Sequence, residues 1–280
     1  MSLIQNIKNE FKNSNYLNKL IYLNVFVFLV LNISSVFFSL FLIDIKSFSE
    51  NLMLSSNTSE IIEHPWTLLT YMFLHENFFH LLFNMIWLHF GGKLFLQYLN
   101  QKQLLNIYIL GGLSGGILFI IAFNYLPALI LHNENAMALG ASASVLAIVF
   151  ALATYIPNYK INIPLIGFVK LKYIALFFII LDLLSIPKGN AGGHIAHLGG
   201  ALFGYIYIKQ INQKRNNKDN SLIKFFINIF RPVKKMNPKQ KNKTDNQRNI
   251  DLVLEKISKS GYNSLNKDEK ELLFNSSKKQ

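Results

Sequence analysis

The sequence contains no cysteine. That absence excludes disulfides, thiolate metal sites and a cysteine nucleophile, and it leaves the compartment open, since a chain without cysteine can face either side of a membrane. Charge is also scarce. Only 15% of the residues are charged while 51% are hydrophobic, a balance outside the usual composition of a soluble domain. No side chain is charged between Lys102 and Glu134, and none between Glu134 and Lys160. These long uncharged stretches predict an all-α polytopic membrane protein carrying a polar tail.

The net charge of +13 raises the question of nucleic acid, and its distribution argues against that partner. Residues 209–280 hold 18 of the 28 Lys and Arg against seven acids, a local charge of +11, and their few aromatics form no base-stacking pattern. A cytoplasmic tail obeying membrane topology accounts for the same charge. The run Leu20–Ile43 follows Lys8, Lys12 and Lys19 as a secretory signal would. It is 24 residues long, lacks a small-residue cleavage site and precedes further apolar runs, so it reads as a retained helix.

Six spans are expected: Leu20–Ile43, then approximately Phe78–Gln97, Leu104–Phe123, Leu139–Ile156, Val169–Ile186 and Gly192–Ile208. With the N-terminus inside, cytoplasmic segments and nearby helix ends collect 26 of the 28 Lys and Arg, leaving only Lys46 and Lys188 outside. An odd number of spans would put the basic tail outside. The resulting organisation is a cytoplasmic segment at 1–19, a six-span domain at 20–208 and a basic cytoplasmic tail at 209–280. Within the tail, Asp251–Lys259 and Asn266–Asn275 read as a small helical hairpin at 251–275, and Asn266 with Glu269 forms a capping-box pattern. The outer stretch Asp44–Asn77 is too long for a simple connection and carries Trp66 and Tyr71, suited to headgroup depth. Gly111, Gly112, Gly115 and Gly116 form overlapping small-xxx-small pairs, which serve close helix packing.

Histidine and asparagine are costly in lipid, so those inside the spans are expected to face protein or water. His80 and Asn84 are four residues apart and share one face of the second span. The charge-derived topology puts them at the same outer depth as Ser142 on the fourth span and His197 on the sixth. That coincidence points to chemistry. An aliphatic hydroxyl needs a base to take its proton, which assigns Ser142 as nucleophile and His197 as base. The oxyanion formed on a peptide carbonyl needs donors, and His80, Asn84 and the Ser142 N–H at a helix start supply them. No carboxylate is placed to orient His197 as in a triad; Asp182 lies at the far end of the fifth span and reads as a snorkelling or interfacial acid. A Ser–His dyad is therefore expected.

A metal mechanism fits less well. His75 and His80 are spaced i,i+5 and so rotated by about 140° on a helix, whereas zinc-binding pairs at i,i+4 nearly align. His194 and His197 have ligand spacing but no evident third carboxylate. No metal or other cofactor is expected.

His80-Leu81-Leu82-Phe83-Asn84-Met85, Gly140-Ala141-Ser142, and Ala196-His197 followed by Gly200 and Gly204 together resemble three motifs of the rhomboid family of intramembrane serine proteases. The resemblance covers about 20–208 and implies a six-helix bundle that hydrolyses peptide bonds in or near transmembrane segments of protein substrates within the lipid bilayer. It assigns Ser142 and His197 as the catalytic pair and His80 and Asn84 as oxyanion donors, and gives His75 and Trp66 accessory positions. It also implies that Gly140, Gly200 and Gly204 let the fourth and sixth helices approach. The sequence departs from the family pattern at Thr67, Ala143 and Leu146. The low Arg and high Lys, Asn and Ile content suggests a bacterial background, so the expected setting is a bacterial inner membrane, and the charge distribution puts both termini in the cytoplasm with the site opening outward. The alternative is a catalytically inactive rhomboid-like protein that binds membrane helices or serves their quality control. A transporter lacks support, since neither paired repeats nor broken helices around a midplane ion site are evident. Oligomeric state is left open.

Overall fold

The computed structural model describes residues 3–43, 46–131, 136–216, 253, 256 and 265–271. Helix α1 (Leu3–Asn13) leads to α2 (Tyr16–Ser39), which starts where the Asn15 side chain accepts a hydrogen bond from the Asn18 N–H at 2.9 Å. The segment between α2 and the next long helix then folds as α3 (Lys46–Glu50), β1 (Leu54–Ser55), α4 (Thr58–Glu63), α5 (Thr67–Thr70) and a 3-10 turn at Tyr71–Phe73. Next come α6 (Phe78–Tyr98), α7 (Gln101–Tyr125), α8 (Pro127–Ile130), β2 (Met137–Ala138) and α9 (Ser142–Tyr155). The hairpin β3 (Lys160–Ile163) and β4 (Gly167–Lys170) precedes α10 (Leu171–Ser185), and a 3-10 turn at Ile186–Lys188 leads to α11 (Ala191–Asn216).

The architecture is helical, as the composition implies, with two short antiparallel strand pairs added. The fifth helix begins at Leu171 because Val169 and Lys170 pair with Ile161 and Lys160. The sixth long helix continues past Ile208 to Asn216. Pairing of Leu54 with Ala138 and Ser55 with Met137 ties the outer loop to the segment directly preceding α9.

Helix α9 forms the centre. Ala143 through Leu152 are all buried, so this helix is surrounded by protein on every side, as an apolar helix without a polar face should be. Small residues permit that position. A methyl group on Gly111 would collide with the Ala147 Cβ, while on Gly200 and Gly204 it would collide with the carbonyls of Ala143 and Ala147. The glycine pattern thus lets α7 and α11 meet α9 nearly backbone to backbone. A buried polar contact joins α2 to α7, where the Asn24 amide donates to the Tyr108 hydroxyl at 2.9 Å.

Among the described residues two helices are long and apolar enough to cross a membrane, Tyr16–Leu40 and Gln101–Tyr125, and Ser142–Tyr155 is a shorter apolar helix. The expected six spans do not all meet that measure, for physical reasons. Helix α9, with 14 residues, and α10, with 15, extend only about 21–23 Å. Helices α6 and α11 carry the histidines, glycines and basic residues that dilute their hydropathy. Large apolar side chains such as Phe26, Ile33, Phe83, Phe90, Phe177 and Leu181 are exposed on α2, α6 and α10, a surface matched to lipid tails.

Contacts divide the chain into one unit at Met1–Asp219 and a second at Asn220–Gln280. In the second unit the Asn266 side chain accepts from the Glu269 N–H at 2.8 Å, and the Glu269 carboxylate accepts from the Asn266 N–H at 2.8 Å. This is the capping box read from the sequence. Lys256 donates to both Glu269 oxygens at 2.8 and 2.9 Å, while Val253 and Leu265 are buried. The rest of the expected hairpin at 251–275 lies outside the described residues, as do Asp44 and Glu134 of the outer segments.

Candidate active site

Four local features position the side chains. Asn77 caps α6 by accepting from the His80 N–H at 2.9 Å, which places His80 in the first turn and Asn84 one turn further along the same face. Gly140 has φ +125°, a conformation that disfavours any side chain, and its N–H donates to the Tyr71 carbonyl at 2.9 Å. The chain therefore turns sharply and α9 opens on Ser142. As the first helical residue, Ser142 presents an N–H that lacks an intrahelical acceptor. At the start of α11, Asn190 accepts from the Gly193 N–H at 3.2 Å, leaving His194 and His197 on one face.

These elements meet at Ser142. Its Oγ lies 2.6 Å from His197 Nε2. His197 Nδ1 lies 2.8 Å from Asp182 Oδ1, and His194 Nδ1 lies 2.8 Å from the same oxygen. The sequence places no carboxylate at His197; in the structure Asp182 reaches it, which corrects that expectation. Asp182 is near the C-terminal end of α10, its side chain 9% exposed, and the chain brings it back to α11 through the short turn at 186–188. A carboxylate accepts, so both Nδ1 atoms carry protons. Nε2 of His197 is thereby left as the acceptor for the Ser142 hydroxyl.

His80 completes one side of the site. A methyl group on Gly140 would stand 3.0 Å from His80 Nε2 and 3.5 Å from Ser142 Oγ, so both side chains border the space that the missing Cβ leaves open. Asn84 is buried and donates to the His80 carbonyl at 2.9 Å, which leaves its second amide hydrogen for another acceptor. His75 packs edge to face against His80 with ring centroids 5.2 Å apart. It is buried and neither ring nitrogen meets hydrogen-bonding geometry. Burial first, and then the neighbouring His80, lower its pKa to about 4, against an opposing contribution from the Phe73 backbone.

The remaining residues have plainer roles. Ser144 is fully buried with its Oγ 4.0 Å from Met72 Sδ, in keeping with the packing role implied by its rotation away from Ser142. Leu146 packs with Phe150, Ala175 and Ala201. Trp66 Nε1 donates to the Asn51 carbonyl at 2.9 Å, and the Thr67 hydroxyl donates to the His64 carbonyl at 2.7 Å, so hydroxyl and indole groups anchor the outer loop.

Asp182, His194 and His197 also make a three-residue group with metal-ligand chemistry. Ligands bound to one tetrahedral zinc at roughly 2.0–2.1 Å would stand about 3.3 Å apart. The observed 2.8 Å separations suit direct hydrogen bonds instead.

Comparison with known proteins bears on the same region. Residues 63–213, more than half of the chain, match the Rhomboid domain. The chain belongs to the rhomboid family. This rhomboid is similar to RHOMBOID-like protein 12, mitochondrial, of Arabidopsis thaliana, with 30% identity over 158 residues, covering 53% of this chain and 47% of that protein. It is also similar to Presenilin-associated rhomboid-like protein A, mitochondrial, of Danio rerio, with 30% identity over 158 residues, covering 55% of this chain and 39% of the relative. The Homo sapiens Presenilin-associated rhomboid-like protein, mitochondrial, is 28% identical over 161 residues, 55% of this chain and 39% of its own length. The matched region thus spans less than half the length of these relatives. They are mitochondrial proteins, so their names do not support the bacterial inner-membrane setting expected from the sequence. Residues 239–279 of this rhomboid match a family of unknown function (DUF6576).

Proposed function

We propose that this rhomboid is an intramembrane serine endopeptidase that cleaves transmembrane protein substrates near the outer face of the bilayer. The observation that carries the reading is the 2.6 Å contact between Ser142 Oγ and His197 Nε2 at the opening of α9. In the mechanism, His197 takes the hydroxyl proton as Ser142 Oγ attacks the scissile carbonyl. Negative charge then develops on the carbonyl oxygen. The Ser142 N–H, the free Asn84 amide hydrogen and His80 stabilise it, aided by the positive end of the α9 dipole. His197 passes its proton to the leaving amine, and the acyl group remains on Ser142. Water activated by the same imidazole releases it.

Six helices, α2, α6, α7, α9, α10 and α11, cross the bilayer together in this reading. Protein shields the short α9 from lipid, so it begins below the surface without needing full span length. The lysine asymmetry puts both termini and the basic tail in the cytoplasm, with Ser142 opening to the opposite side. A substrate helix enters laterally past the outer loop or α10 and must unwind locally to present an extended bond. Gly140, Gly200 and Gly204 hold the distance between serine and histidine, while Trp66 anchors the loop and His75 supports His80.

The test uses purified full-length protein and a fluorescent reporter carrying a transmembrane segment. Ser142→Ala abolishes cleavage, whereas Ser144→Ala leaves most of it. Retention of wild-type cleavage by Ser142→Ala rejects the assignment, and leaves membrane-helix binding as the family role.

A further inference from the structure

Helix α10 is almost entirely apolar, yet a carboxylate sits near its outer end. Its buried residues are Leu171, Ile174, Ala175 and Asp182, and Asp182 alone among them is polar. A buried carboxylate in such a helix is costly and calls for partners that satisfy it. Asp182 has two, because the Nδ1 atoms of His194 and His197 both lie 2.8 Å from Oδ1. One of these imidazoles also contacts Ser142.

From this chain of contacts we infer that Asp182 is a positioning residue for His197 and that His194 holds Asp182 in place. The inference rests on the proposed protease reading and adds a third group to it. The carboxylate acts in two ways. By accepting from Nδ1 it selects the tautomer with a lone pair on Nε2, the only one able to take the Ser142 proton. When that proton arrives, the imidazolium forms beside an anion already in place, so no group must reorient. His194 supplies the second N–H to the same oxygen from one turn earlier on α11. It restrains the carboxylate rotation and offsets its burial while its own Nε2 stays out of the relay. The arrangement also ties α10 to α11 at the depth of the chemistry. A displacement of α10 that admits substrate and separates Asp182 from His197 leaves the base unoriented until the helix returns.

The full-length protein is assayed with the transmembrane reporter for kcat, KM and rate of labelling by a fluorophosphonate, alongside its thermal unfolding. Asp182→Asn lowers kcat and labelling by roughly tenfold or more with KM within about twofold, because only transition-state interactions are lost. Asp182→Glu, which keeps the anion, recovers part of the rate. His194→Gln lies between wild type and Asp182→Asn. If Asp182→Asn keeps kcat within about twofold of wild type while Ser142→Ala is inactive, the carboxylate is an interfacial acid only and this inference fails alone. A loss through KM, or a loss tracking unfolding that Asp182→Glu does not recover, marks a structural role and equally overturns it. Cleavage by Ser142→Ala instead removes the protease reading itself.

Discussion

At the residue scale, what the sequence reveals depends on whether the chemistry is written in local spacing. Ser142 beside Gly140, His80 four residues before Asn84 and His197 before Gly200 and Gly204 are short patterns, and in the structure Ser142 Oγ contacts His197 while His80 and Ser142 both border Gly140. Asp182 was not legible in that way. It is 15 residues from His197 across a turn between two helices, and a single acid near a helix end has an ordinary interfacial explanation. The available signal was that it sits within an otherwise apolar span. His75 makes a separate prediction. Its folded pKa of about 4 lies below the ordinary histidine value of 6.5, so the unfolded chain binds the extra proton between those values. Its contribution to stability is therefore complete above pH 6.5 and is lost as pH falls toward 4, by as much as about 3 kcal/mol. Thermal unfolding of the full-length protein from pH 7 to pH 4.5 measures this. Wild type loses stability on acidification, and His75→Gln loses less. An identical acid dependence in the two proteins contradicts the assignment.

At the element scale, helix existence was readable from apolar runs, while helix ends were set by caps and turns. Val169 and Lys170 read as the start of an apolar helix, yet strand pairing across the 160–170 hairpin delays α10 to Leu171. The pairing at Leu54–Ser55 is two residues long on each side and leaves no alternation to detect. Glycine packing was more legible because its spacing is the helix repeat. A side chain at Gly204 meets the Ala147 backbone carbonyl, which cannot rotate away. Gly204→Val therefore separates α9 from α11. The expected cost is about 1–3 kcal/mol of stability together with a loss of cleavage well beyond the change in folded fraction. Chemical denaturation and the reporter assay measure the two effects. Wild-type stability and cleavage in this variant would show that the close approach is unnecessary.

At the scale of the whole molecule, the membrane reading rests on composition, exposed apolar helix faces and the uneven distribution of lysine. Hydropathy runs predict six crossings, whereas helix length and apolarity alone support two among the described residues. Helix α9 is surrounded by protein neighbours, and histidines, glycines and basic residues dilute the apolar character of α6 and α11. The expected topology, which gathers 26 of the 28 basic residues on one side, makes a prediction independent of the site. An epitope tag after Gln280 is expected to survive protease added outside sealed right-side-out vesicles and to be digested after detergent is added. Digestion in the sealed vesicles would invert the orientation and put the site on the cytoplasmic side.

If Ser142 is a nucleophile activated by His197, covalent capture by a serine-directed reagent reads that activation without any substrate. Membranes containing the full-length protein are treated with a fluorophosphonate and the modified peptide is identified by mass spectrometry. An adduct is expected on Ser142 and none on Ser144, with labelling abolished or strongly slowed by His197→Ala. An unmodified Ser142 in a protein that still cleaves the reporter, or equal labelling with and without His197, would contradict it.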